Sequence, residues 1–139
     1  MKHLLSSICL SLPLLFCASS HAADLQIEIT DVKSSTGNLL IALYDSTETF
    51  LKKPVKGVKV AAQSTQTSVQ VSDLPAGDYA IVVFHDLNDN GKLDRNPAGM
   101  PIEDYAFGNN ALGKMGPPSF LESKISLPAA GGNTRLSLR

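Results

Sequence analysis

From Leu25 onward, apolar and polar side chains alternate with a period of two, and that period admits strands and little else. Leu25, Ile27 and Ile29 alternate with Gln26, Glu28 and Thr30. Gly37-Asn38 then opens Leu39 to Tyr44, a run apolar on both faces, as a central strand requires. Val58 to Gln63 and Thr67 to Val71 read as two more strands around a polar turn. Gly77 to Phe84 carries the strongest signal, with Tyr79, Ile81 and Val83 on one face and Ala80, Val82 and Phe84 on the other. The pattern resumes at Phe120 to Leu127 and at Thr134 to Leu138. Ser46 to Lys53 interrupts it, as one predicted helical turn with Ser46 as N-cap and Phe50 and Leu51 facing the core. About seven short strands between turn signals predict an all-β chain, a single two-sheet antiparallel sandwich of immunoglobulin-like layout.

The N-terminus points to export. Lys2 supplies a positive start, Leu4 to Phe16 an apolar stretch, and Ala18 to Ala23 a polar, small-residue tail. That is the three-part layout of a cleavable signal over residues 1–23, with the sandwich over residues 24–139. A spanning helix needs roughly 20 apolar residues, and Pro13 and the serines dilute this run. Lipidation at Cys17 is disfavoured by the bulky Phe16 before it. Cys9 and Cys17 are the two cysteines, so cleavage leaves a domain with no disulfide that enters a periplasmic or extracellular space. Its stability then rests on the core, or on the core and a ligand. Eleven basic against 13 acidic residues remain, scattered and without tryptophan, which gives no nucleic-acid groove. After cleavage no apolar run is long enough to form a transmembrane segment.

Between Phe84 and Pro118 periodicity lapses for about 35 residues rich in Asn, Gly, Pro and Asp. Compact domains seldom carry a structureless loop longer than about 15 residues unless it has a function. This one holds Leu93, Met100, Ile102, Tyr105, Phe107, Leu112 and Met115, side chains that can be buried.

Its first part spells a calcium loop. Calcium takes six to eight oxygen ligands, which a tight loop presents from alternate positions. Asp86, Asn88 and Asn90 stand at positions 1, 3 and 5, the Lys92 carbonyl at 7 and Asp94 at 9. Gly91 occupies position 6, where the chain turns sharply. Asp or Asn fills a position about 10% of the time and Gly about 7%, so the set arises by chance about once in 100,000 starts. A plain type I′ hairpin on Asn90-Gly91 is the metal-free alternative, and it leaves Asp86, Asn88 and Asp94 unexplained. Pro97 stands where an EF-hand has its closing Glu, so Glu103 or Asp104 folding back is the candidate for a further ligand. Few charges predict weak Ca²⁺ binding, about 0.1 to 1 mM. Leu93 at position 8 is expected to tie the loop to the core, with the Asp89 and Lys92 side chains in water.

His85 ends the strongest strand beside the loop. It reads as a partner for loop backbone, or as a general base with Asp86 or Glu103. Tyr79 suits the tyrosine corner of sandwich folds, its hydroxyl on nearby backbone. Asn109-Asn110 and Pro117-Pro118 read as loop-shaping residues, and an exposed Tyr105/Phe107 pair as a possible ligand contact.

Gly37 to Tyr44, Leu74 to Phe84, His85 to Asp94 and Gly99-Met100-Pro101-Ile102-Glu103 together resemble a family of exported bacterial proteins known as a domain of unknown function. The resemblance spans nearly all of residues 24–139. It implies a transthyretin-like or prealbumin-like sandwich and brings no established activity. The family pattern runs on as Gly-Tyr-Gly-Phe-Ser-Asn-Asn, whereas Asp104 and Ala106 here replace glycines and remove their freedom to adopt positive φ. The Asp/Asn loop after the Leu-Pro-x-Gly-x-Tyr strand also resembles surface-protein modules stiffened by calcium.

The functional expectation is an exported, calcium-stabilised sandwich that serves as a binding or assembly module of the cell envelope, for an unknown envelope or extracellular ligand. Two rivals accompany it: a small periplasmic hydrolase or lyase using His85 with Asp86 or Glu103, and a metal-independent structural envelope protein.

Overall fold

The computed structural model describes residues 22–139. Residues 1–21, with Cys9, Cys17 and most of the expected export segment, lie outside the described residues. The first strand begins at Ala22, which pairs with Pro75.

Among the described residues the chain forms eight strands in two antiparallel-rich sheets. The strands are β1 (Ala22–Val32), β2 (Asn38–Tyr44), β3 (Lys56–Ala61), β4 (Thr65–Pro75), β5 (Gly77–Asp86), β6 (Tyr105–Phe107), β7 (Lys124–Leu127) and β8 (Gly132–Ser137). One sheet has the order β4-β1-β8 and the other β3-β2-β5-β6. β7 also pairs with β5, along Gly77 to Ala80, while β6 pairs along Val82 to Phe84. The fold class read from the alternation therefore holds at the level of an all-β chain.

The inward sets of both sheets meet in one cluster. Leu25, Ile27 and Ile29 of β1 and Leu136 of β8 join Leu39, Ile41 and Leu43 of β2 and Ile81 and Val83 of β5, all essentially without solvent access. Burying one such side chain contributes about 1.5–3 kcal/mol. On the other face of the larger sheet, Tyr44, Ala80 and Phe120 form a second cluster with Phe50 packed against it. The Phe50 ring meets Tyr44 at 5.4 Å and Phe120 at 6.0 Å, both edge-on. This second cluster explains why β2 and β5 are apolar on both faces.

Four expectations need correction. Eight strands replace seven, because Tyr105 to Phe107 of the expected irregular insert pairs with β5. Phe120 to Ser123 is a helical turn, α1, rather than the start of a strand. Ser119 accepts the Glu122 amide and Glu122 accepts the Ser119 amide, a capping box that starts a helical turn where the strand pattern was expected to resume. Pairing is not antiparallel throughout, since β8 lies parallel to β1. Alternation carries no strand direction, and the connection from β7 crosses between the sheets. Finally, Ser46 to Lys53 makes hydrogen-bonded turns without a helix. Phe50 faces inward as expected, but Leu51 adopts φ 58° and is 43% exposed.

Tyr79 takes its expected corner, donating its hydroxyl to the Pro75 carbonyl at 2.7 Å. Ala106 lies within β6, so its position needs no glycine. Asn109 and Asn110 supply left-handed backbone instead. Asn109 Nδ2 donates to the Lys124 carbonyl, and Asn110 Oδ1 accepts the Ser137 amide, so both shape the loop. Among the described residues no helix is long and apolar enough to cross a membrane.

Candidate metal loop

β5 delivers His85 and Asp86 to its end, paired across to Leu39 and Asn38 of β2, and both are buried. Past them the chain leaves the sheet and folds around the Asp86 carboxylate. One oxygen of Asp86 accepts the Asn90 amide at 3.1 Å and the other the Gly91 amide at 2.7 Å. Asn88 Oδ1 also accepts the Asn90 amide, and Asn90 Oδ1 accepts the Lys92 amide at 2.8 Å. Asn88 and Asn90 thus each bond backbone two residues on, the habit that suits Asn and Asp to turns, while Asp86 reaches four and five residues on. Gly91 has φ +75°, whereas Asn90 is not left-handed. A type I′ turn needs positive φ at both central residues. The plain hairpin on Asn90-Gly91 is therefore not what the chain forms.

Asp94 closes the loop. Asn88 Nδ2 donates to one of its oxygens at 2.7 Å, and Asn90 Nδ2 to the other at 2.8 Å. Asp86, Asn88, Asn90 and Asp94 are consequently joined in one hydrogen-bonded knot. Lys92 contributes its amide, and among the described residues no donor reaches its carbonyl oxygen.

Glu103 folds back under the loop. Its Oε1 accepts the Leu87 amide and its Oε2 the Asp94 amide, each at 2.9 Å. Those two amides mark the entrance and exit of the loop, so one carboxylate spans its root. Asp104 turns elsewhere, to Lys33 Nζ at 2.7 Å. Glu103 is the acid at the loop and Asp104 is not.

Asp86 has no measurable exposure and Glu103 only 6%. Among the described residues neither forms a salt bridge, since the four ion pairs join Lys33 to Asp104, Lys59 to Asp89, Lys124 to Asp78 and Arg135 to Glu28. Four backbone N–H groups are what these two carboxylates have. Amides lower the cost of burying negative charge but do not cancel it.

The donor set fits a hard cation. Carboxylates, amide oxygens and a free carbonyl are oxygen ligands of the kind calcium takes. Ligation through Oδ1 would require the exposed Asn88 and Asn90 amides to turn and release Asp94, whose carboxylate would then be available as a further oxygen donor. Among the described residues no three His, Cys, Asp or Glu side chains gather as a metal group, so an ion here would need amide and carbonyl oxygens as well.

Sequence reasoning missed the parts that hold this loop from outside. A Cβ on Gly37 would stand 2.2 Å from the Asp86 carbonyl oxygen, so the β1–β2 turn presses directly on the loop's base. His85 Nε2 lies 2.7 Å from the Thr36 carbonyl of the same turn. His85 does bond loop backbone, but in the β1–β2 loop rather than its own. Buried and engaged in this way, it lacks the open face that a general base offers a substrate. Asp89 keeps its side chain in water as expected, and there it also pairs with Lys59 of β3 and Asn38 of β2. Lys59 and Asn38 carry no local signal, because only the pairing of β3, β2 and β5 brings them to the loop. Leu93 is half-buried and lines a cleft with Met100, Tyr105, Phe107 and Met115 rather than joining the main core cluster. Tyr105 is partly exposed, but Phe107 is 7% exposed, so the aromatic pair is not an open surface.

A family model described as an uncharacterized protein conserved in bacteria (DUF2141) matches residues 27–136. No curated protein and no solved structure matches the chain.

Proposed function

We propose that this chain, which belongs to DUF2141, a family of uncharacterized proteins conserved in bacteria, is an exported β-sandwich whose bound calcium fixes a long loop as a binding or assembly surface of the cell envelope. The finer fold is transthyretin-like: two sheets whose inward faces share one core support it. Export to the periplasm or beyond is supported by the pattern of Lys2, Leu4 to Phe16 and Ala18 to Ala23.

One observation carries the metal. Asp86 and Glu103 are buried carboxylates without a cationic partner among the described residues, at the root of a loop rich in oxygen donors. Asp86, Asn88, Asn90, the Lys92 carbonyl, Asp94 and Glu103 are the residues that would hold the ion. Calcium supplies the positive charge that these acids lack, and binding it orders the loop. At a Kd of about 0.1 to 1 mM, 1 mM calcium stabilises the fold by roughly 0.4 to 1.4 kcal/mol.

The test is a calcium titration of the purified chain followed by amide NMR shifts. Shifts concentrated between Asp86 and Glu103 are expected, together with a small rise in melting temperature. A spectrum that stays still through that stretch at millimolar calcium sinks the reading.

A further inference from the structure

Immediately after Asp94 the chain helps to enclose a cleft of about 520 Å³. Its lining includes Leu93, Arg95, Met100, Tyr105, Lys114 and Met115. That volume lies within the range of roughly 300–1,000 Å³ typical of small-molecule sites. Several exposed apolar side chains of the protein gather here and nearby: Met100 is 62% exposed and Met115 is fully exposed. Methionine side chains adapt to varied apolar shapes.

The segment carrying Arg95 and Met100 is fixed. Arg95 pairs with Pro101 as an isolated bridge, and Asn96 Oδ1 accepts the amides of Ala98 and Met100, each at 3.0 Å. Arg95 Nη1 donates to the Gly99 carbonyl at 2.9 Å, which orients the guanidinium and leaves its other donors free. Arg95 and Lys114 are the charged residues of the lining, and no carboxylate accompanies them. Arg95, held in place by the Gly99 carbonyl, is the oriented cation of the site.

We infer that this cleft binds a small amphipathic anion, its acidic headgroup on Arg95 and its apolar body against Met100, Tyr105 and Met115. The inference goes beyond the loop reading and adjoins it at one point, because Arg95 follows directly on the candidate metal loop. A planar guanidinium suits a carboxylate, sulfonate or phosphate, and the adjoining apolar surface selects against anions that lack a hydrophobic part.

The experiment uses two dyes that differ by one sulfonate, 8-anilinonaphthalene-1-sulfonate and the neutral N-phenyl-1-naphthylamine, titrated by fluorescence into the purified chain with calcium. One site with about a tenfold preference for the sulfonate is expected. Arg95→Gln should erase that preference and leave the neutral dye unchanged, while Met115→Asp should weaken both dyes. Both residues are exposed, so melting temperature should hold and shows that each variant folds. Equal affinity for the two dyes, or sulfonate binding untouched by Arg95→Gln, overturns the proposal. Arg95-dependent sedimentation with phosphatidylglycerol vesicles, without binding of the soluble dye, also overturns it. Calcium-induced amide shifts recorded on the same sample separate the two readings. Shifts without a sulfonate preference remove the cleft proposal alone, whereas an Arg95-dependent preference without shifts removes the metal and leaves the cleft.

Discussion

Gly37 and Asp86 touch backbone to backbone: a Cβ on Gly37 would lie 2.2 Å from the Asp86 carbonyl oxygen. Gly37 also has φ +73°, which L side chains adopt at a cost of roughly 1–2 kcal/mol. Gly37→Ala should therefore destabilise the protein by about 2–4 kcal/mol, read as a lower urea midpoint. Gly57→Ala, where a Cβ meets open space, is the control and should change little. Equal effects from the two substitutions would show that the β1–β2 turn does not brace the loop.

Glu103 offers a second test, since its two oxygens hold amides that are seven residues apart. Glu103→Gln replaces one acceptor with a donor aimed at an N–H group. A loss of about 1–3 kcal/mol is expected, with faster amide exchange at Leu87 and Asp94. The loss should appear without calcium and grow with it, as the variant also forfeits a ligand. Unaltered exchange at both amides would remove Glu103 from the root of the loop.

Asp89 provides the pH dependence. The Lys59 hydrogen bond, then the Lys59 charge, and last a hydrogen bond from Asn38 hold its carboxyl below the ordinary value of 3.8. With the folded value depressed, the contribution to stability is complete above the unfolded value and is lost as pH falls through the folded one. Carboxyl-carbon NMR should place the Asp89 midpoint below 3.8 in the wild type and return it towards that value in Lys59→Met. A midpoint that ignores Lys59 contradicts the pairing.

Much of this was legible locally. Period two gave β1, β2 and β5 because each has one face or both in a core, and burial imposes alternation. The loop was legible because its spacing is a local chemical code, and Asp86, Asn88, Asn90 and Asp94 do come together. What escaped was non-local. β6 is three residues long and makes its bonds to β5 across more than 20 residues of chain. Thr36, Gly37 and Lys59 reach the loop only through sheet order, which no window of sequence contains. α1 differs: the Ser119/Glu122 capping box is local, but Ile125 and Leu127 just beyond it carry the strand alternation of β7.

The parallel seam between β1 and β8 has a consequence for synthesis. Leu25 lies opposite Gly132, so among the described residues the first strand made must wait for the last. At about 5–20 residues per second, a ribosome takes roughly 5 to 20 s to cover that interval. Through it Leu25, Ile27 and Ile29 lack one neighbour, and pairings so remote along the chain form slowly in any case. The topology builds in a delay during which the polypeptide stays open to whatever machinery handles unfolded chains.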